Sequence, residues 1–340
     1  MPNSAAASIV PISQANTGTL DAGRWRWKAR SGCANIPRPP DKMRVPDTIL
    51  KCVGFVAEVI SDTSGDSFDH VATGFFVSMP SDNPDIAKHQ DVKYFAFVTA
   101  AHVARGMANT RTAVIVNRHG GGVTVIKSAA NQWYFHPNDP SVDVAVVPIN
   151  LTSDIDIMAL PVSLFVNKKL TVGDHPIGLG DEVYMPGLFT FGIGNKRNNP
   201  IVRYGNLAML PDEPIQTDYG FAEVYLIEAR SIGGISGSPV FIRPTNYLQP
   251  NDEEVKGIHG VAAETILLGL AHGHWDVRES DKNDVNVVHT MRHGVNMGLG
   301  IVVPAHKILE VINQPALVEA RAQADTLKRW ESIPTPDVKR

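Results

Sequence analysis

Cysteine is almost missing: Cys33 and Cys52 are the 2 in 340 residues. That excludes the disulfide framework on which small secreted domains depend. No apolar run approaches the roughly 20 residues that span a bilayer. The opening MPNSAAASIVPISQ lacks the basic segment and sustained apolar stretch of a secretory signal. Together these absences set the expectation of a reducing, cytoplasmic setting. Charge of one sign is lacking too, with 31 Lys and Arg against 35 Asp and Glu and a net charge of −4. No overall basic field therefore points to nucleic acid or an anionic membrane. Short-period repeats and long low-complexity tracts are also missing.

What is present is a chain with 43% hydrophobic residues, 24 prolines and 28 glycines. Its length suffices for two compact cores, and its short Val/Ile/Phe runs between turn residues favour an all-β architecture over helical bundles. Residues 1–46 read as a flexible N-terminal arm carrying the patch Arg24-Trp25-Arg26-Trp27-Lys28-Ala29-Arg30. Basic and aromatic interleaving suits RNA, single-stranded DNA or a membrane surface, but such an arm more often packs its tryptophans against its own domain. Strand-like runs follow at 48–60, 70–77, 92–103, 112–117, 122–127 and 142–149. A polar crossing at 151–172 leads to runs at 181–187, 201–209, 222–229, 267–275 and 298–304. Apolar residues at helical spacing predict helices over 305–312 and 316–330, with Pro315 as the break.

Three positions in this framework carry chemistry. The stretch Ser231-Ile232-Gly233-Gly234-Ile235-Ser236-Gly237-Ser238-Pro239 places one hydroxyl in a glycine turn between apolar runs. Gly234 permits backbone conformations closed to other residues, so its N–H and that of Ser236 are able to converge as an oxyanion hole. A glycine-rich hairpin accounts for the same composition. His102 stands at the end of the apolar run 92–103, where a hydrogen-bonded core histidine is the plain alternative. Asp143 stands at the mouth of the run 142–149 and is costly to bury without a donor such as an imidazole N–H. Asp139, Asp154 and Asp156 are nearby competitors for that part. A histidine base, a carboxylate that fixes its tautomer and a serine nucleophile are the requirements of acyl transfer. Their order along the chain is His, Asp, Ser.

At these residues the chain resembles the trypsin/chymotrypsin-like serine protease superfamily. The resemblance rests on Ala72-Thr73-Gly74-Phe75-Phe76-Val77, Val98-Thr99-Ala100-Ala101-His102-Val103, Asp143-Val144-Ala145-Val146 and Gly234-Ile235-Ser236-Gly237-Ser238-Pro239. Gly300-Ile301-Val302-Val303-Pro304 before a terminal helix supports it, and the match covers about residues 48–314. The thin cysteine content resembles bacterial or viral members. The resemblance implies two six-stranded antiparallel β-barrels, 47–155 and 156–304, with the active site between them. A C-terminal helical segment and tail, 305–340, follow. It implies His102 as base, Asp143 as orienting carboxylate, Ser236 as nucleophile, and the Gly234 and Ser236 N–H groups as oxyanion hole. The implied activity is hydrolysis of a polypeptide substrate through an acyl-enzyme, with no cofactor and no metal. Ile235 occupies the place where trypsin-like zymogens carry an aspartate, so activation by a newly cut amino terminus is not expected.

The resemblance also implies a primary pocket walled by His272, Gly273, His274 and Gly300, with Arg230 near its base. If those cationic or proton-donating groups face inward, an acidic side chain before the scissile bond is favoured. If they face away, the pocket is small or apolar. Two rival readings stand beside the protease: an inactive protease fold that binds a partner, and a metal site made from His272, His274, His289 and His293.

Overall fold

Val, Ile and Phe runs too short for helices become strands, sixteen of them among the described residues. The computed structural model describes residues 45–62, 65–87, 93–108, 110–128, 132–166, 177–189, 194, 196–229, 234–243, 266–277 and 295–331. The N-terminal arm with its basic patch, Arg230, His289 and His293 lie outside them.

The first half contains β1 (Val53–Asp62), β2 (Gly65–Pro80), β3 (Lys93–Thr99), β4 (Arg111–Asn117) and β5 (Val123–Ser128). It also contains β6 (Tyr134–Phe135), β7 (Ala145–Pro148) and β8 (Leu160–Pro161). They form one sheet in the order β5-β4-β1-β2-β3-β7-β6, with β8 added in parallel to β2. Leu160–Pro161 thus joins the first sheet although it lies beyond residue 155. Two short helices belong to this half, α1 (Pro84–Ala87) and α2 (Ala101–Gly106).

The second half contains β9 (Glu182–Gly187), β10 (Ile201–Met209), β11 (Ile215–Thr217), β12 (Gly220–Ala222) and β13 (Tyr225–Glu228). Then come β14 (Pro239–Arg243), β15 (Ile266–Val277) and β16 (Val295–Pro304). Six of these close into a barrel in the order β10-β13-β16-β15-β14-β9, while β11 and β12 form a separate two-stranded hairpin. The all-β architecture with a terminal helical segment is therefore present, and the six-stranded barrel is closed in the second half. In the first half the recorded pairing is an eight-stranded sheet.

Burial follows the patterning. Residues 72–79 of β2 are buried without a break, because both faces of that strand are covered. Val183, Met185, Leu207, Ile227, Val240, Leu268 and Val302 fill the barrel, and Val56, Phe76, Phe97, Val114 and Trp133 fill the first half. A third cluster spans the two, with Phe75, Val98 and Val144 packed in one core with Tyr184, Phe241, Leu270 and Val303. Each fully buried side chain of this kind contributes roughly 1.5–3 kcal/mol, so the halves are held together by apolar burial across the region where the site lies.

Helix α3 (Ala305–Ile312) closes this shared core with Ala305, Ile308, Val311 and Ile312, all buried. Helix α4 (Pro315–Glu331) begins at the expected proline break. Its inward face is more polar than its sequence spacing predicts. Leu317 is buried, Ala320 is exposed, and the next inward positions are the buried Arg321 and Asp325. Arg321 Nη1 donates to Ile312 O at 2.9 Å and its Nε to Asp82 at 2.8 Å. Asp325 accepts from Ser81 Oγ at 2.6 Å and from the Tyr94 hydroxyl. Paired in this way, the two polar groups are tolerated out of water.

Candidate active site

Strand β3 ends at Thr99, short of the run 92–103 expected from the sequence, and delivers its chain to α2, so that His102 is the second residue of a helix and not the last of a strand. Ala101 and Ala104 bury one side of the short helix, which leaves His102 on the half-buried side. Asp143 lies two residues before β7, at 2% exposure. Its Oδ1 accepts the His102 backbone N–H at 2.7 Å, and its Oδ2 lies 2.8 Å from His102 Nδ1. The carboxylate thus fixes both the main chain and the ring of the same histidine. Among the competing aspartates, Asp139 is occupied by Ser141, Asp156 by Lys51, and Asp154 by Arg118 and Thr152.

A second imidazole shares that carboxylate. His272 Nδ1 lies 2.5 Å from Asp143 Oδ2, and the ring is 8% exposed. Along β15, Ala271 pairs with Val302 and Gly273 with Ile301, so His272 is the extra residue of a β-bulge. Bulges re-aim side chains, and here the side chain goes to Asp143. Burial by itself would push the Asp143 carboxyl up, but the hydrogen bonds and positive potential of the two histidines outweigh it and hold it well below the usual carboxylate range. An ionised carboxylate only accepts, so each facing Nδ1 carries a hydrogen.

Ser236 is brought alongside by Thr73. The Thr73 N–H donates to Ser236 O at 3.0 Å, and its buried hydroxyl donates to Gly234 O at 2.7 Å. The same hydroxyl accepts from Leu188 N–H at 2.8 Å, and Thr99 Oγ1 donates to Thr73 O at 2.7 Å. Gly237 N–H donates to Ala271 O at 2.7 Å, next to His272. At Gly237, φ is +84° and a Cβ would meet Thr73 O at 2.1 Å and Ala100 N at 3.1 Å. Only glycine fits, and that closeness sets the serine turn against the residues that precede His102. Gly234 is also left-handed, at φ +96°. The N–H groups of Gly234 and Ser236 have no acceptor among the described residues, and the Ser236 hydroxyl has no hydrogen-bond partner among them. The expected triad is therefore joined from Asp143 to His102, without a Ser236–His102 hydrogen bond in this conformation.

Tyr219, which no sequence pattern marks, sits in the turn between β11 and β12. Its ring stacks on His102 at 5.8 Å and 11°, and it meets His272 edge-on at 5.2 Å. Thr217 Oγ1 braces the turn by donating to Gly220 O at 2.8 Å and accepting from Tyr219 N–H. Tyr219 remains 41% exposed and Phe221 69%. Burial, and then the charges of Asp143 and Asp218, push the Tyr219 phenol up against the opposing Arg105.

Of the expected pocket residues, His272 turns to Asp143, and Gly300 is buried where it pairs with His274 and Ile227. Gly273 and His274 are half-buried on β15. The acid-binding group expected at His272 is thus committed elsewhere. His102, Asp143 and His272 bring ligand atoms within 4.8 Å of one another. The separations of 2.5 and 2.8 Å are those of proton-mediated contacts, shorter than the roughly 3.4 Å between two ligands of a tetrahedral ion.

No family profile and no curated protein matches the chain. Among solved structures it is similar to the MamO protease domain from Magnetospirillum magneticum, in its apo form. The identity is 15% over 79% of this chain and 99% of that one, at a TM-score of 0.46. It is also similar to the HtrA-type protease AlgW with tripeptide, at 16% identity, 77% and 59% coverage and a TM-score of 0.41. Deg5 is similar at 14% identity, 77% and 87% coverage and a TM-score of 0.41. The chain spans less than two thirds of the AlgW chain.

Proposed function

We propose that this chain is a serine endopeptidase in which Ser236, His102 and Asp143 act together. The observation that carries the reading is the double hold of Asp143 on His102, 2.7 Å to the main-chain N–H and 2.8 Å to Nδ1. That hold directs the basic Nε2 away from the carboxylate, as proton abstraction from a serine requires.

In the proposed reaction a peptide carbonyl meets Ser236 Oγ while His102 Nε2 takes its proton. The Gly234 and Ser236 N–H groups, without acceptors among the described residues, receive the developing oxyanion. The amine leaves with the proton from His102, and a water repeats the sequence to release the acyl group. Asp143 stays ionised throughout, since its carboxyl is held low. The missing Ser236–His102 contact forms when substrate closes the site, as catalytic hydrogen bonds commonly tighten in the complex. The exposed Tyr219 and Phe221 offer an apolar ledge for the substrate chain. Among the described residues no helix is long and apolar enough to cross a membrane.

Incubation with an unfolded protein substrate, followed by mass spectrometry of the products, tests this reading. Cleavage that disappears in Ser236→Ala supports it. An intact substrate with a folded wild type favours a second reading, a protease fold that binds peptide without cutting it, for which the Ser236 hydroxyl, without a hydrogen-bond partner among the described residues, is the specific observation.

A further inference from the structure

We infer that His272 is a positioning residue of the site, an imidazole that donates to the catalytic carboxylate and limits how much of its charge His102 receives. The inference rests on the proposed function for its meaning in catalysis, but the geometry stands by itself. Asp143 Oδ2 lies 2.5 Å from His272 Nδ1 and 2.8 Å from His102 Nδ1, so two rings compete for one oxygen. The two rings are edge to face, with centroids 5.5 Å apart, and Tyr219 touches both. The β-bulge at His272 removes one residue from the β15–β16 ladder and aims it at Asp143.

Two effects follow. The His272 contact restrains the carboxylate at Oδ2 while the His102 main chain holds Oδ1, which fixes the oxygen that the His102 ring meets. It also draws electron density from Oδ2, which weakens the pull of Asp143 on a proton at His102. Loss of the donor therefore makes the His102 imidazolium easier to form, and the ring worse placed.

The groups that face His272 among the described residues are Asp143 before β7, His102 on α2 and Tyr219 in the β11–β12 turn. Asp218 and Arg105 act on Tyr219 from that turn and from α2, and His274 lies two residues along β15. None of these replaces the Nδ1–H donor when His272 is removed.

The test is a pH titration of histidine-labelled protein by nitrogen–proton NMR, on wild type, His272→Ala and His272→Asn, each first shown to be folded by its thermal melt. The asparagine keeps an N–H donor near the position of Nδ1. The expected result is that His272→Ala strengthens the His102 Nδ1–H bond, seen as a downfield shift of its proton. The His102 titration midpoint then rises by about half a pH unit or more, and His272→Asn restores both. Where wild type reacts with a fluorophosphonate, the labelling rate of His272→Ala falls roughly ten-fold, and its acidic limb moves to higher pH. A His102 proton and midpoint unchanged by a folded His272→Ala overturn the inference, because a histidine that merely fills space leaves both alone. A wild type that shows the NMR coupling yet takes no label supports the inference and counts against the proposed function.

Discussion

Thr73 Oγ1 donates to Gly234 O at 2.7 Å across 161 positions of sequence. One buried hydroxyl from the first half thus sets the peptide that precedes the serine turn of the second. Its other contact, from Leu188 N–H, ties it to the chain beyond β9. The orientation of the candidate oxyanion hole is therefore a property of the junction between the halves.

Replacing Thr73 by Val keeps the volume and removes both contacts. Gly234 O and Leu188 N–H are then buried without partners, at about 1–3 kcal/mol each. The expected result is a loss of about 2–6 kcal/mol by urea unfolding, and a fall of ten-fold or more in serine reactivity as the turn relaxes. Reactivity at wild-type level would detach the Thr73 contact from the site.

Two glycine substitutions should behave oppositely. Gly237→Ala forces a Cβ to within 2.1 Å of Thr73 O at a left-handed φ, whereas a Cβ at Gly273 meets nothing within 4 Å. Thermal melts should show Gly237→Ala destabilised by at least about 3 kcal/mol, or unfolded, and Gly273→Ala within about 0.5 kcal/mol of wild type.

Acid should weaken the fold through Asp143. Its carboxyl titrates below the ordinary 3.8 in the folded state, so near pH 4 the unfolded chain binds more protons and stability rises with pH. This contribution is complete above about pH 5 and is lost as pH falls through the folded value. Urea midpoints from pH 6 to pH 2 should fall more steeply for wild type than for Asp143→Asn, which lacks the titration.

Alkali should reveal the polar anchor of α4. Burial pushes the Tyr94 phenol up, and the bond to the Asp325 carboxylate adds to it. Tyr94 should stay protonated while exposed tyrosines ionise near pH 10. Its contribution to stability is present below that pH and lost as pH rises through the folded value. In an ultraviolet titration, Asp325→Asn should return one tyrosine toward the ordinary range.

Much of this was legible because local pattern and tertiary requirement agree. The apolar runs became strands, Pro315 broke the terminal helices, and His102 and Asp143 came together although 41 residues separate them. Hidden features depend on long-range packing. His272 reads as a strand residue on a pocket wall until the bulge at Ala271–Gly273 re-aims it, and no residue type announces that bulge. Tyr219 lies in an ordinary turn whose position over His102 is set by where the hairpin folds back. Arg321 and Asp325 break the apolar face of α4 because their partners, Asp82, Ser81 and Tyr94, lie more than 200 residues away.

The most direct measurement of the central claim is labelling by a fluorophosphonate, with the modified residue mapped by mass spectrometry. The account predicts one adduct, on Ser236, that is lost in Ser236→Ala and in His102→Ala. A folded wild-type protein that takes no label, or an adduct that persists in His102→Ala, would contradict it.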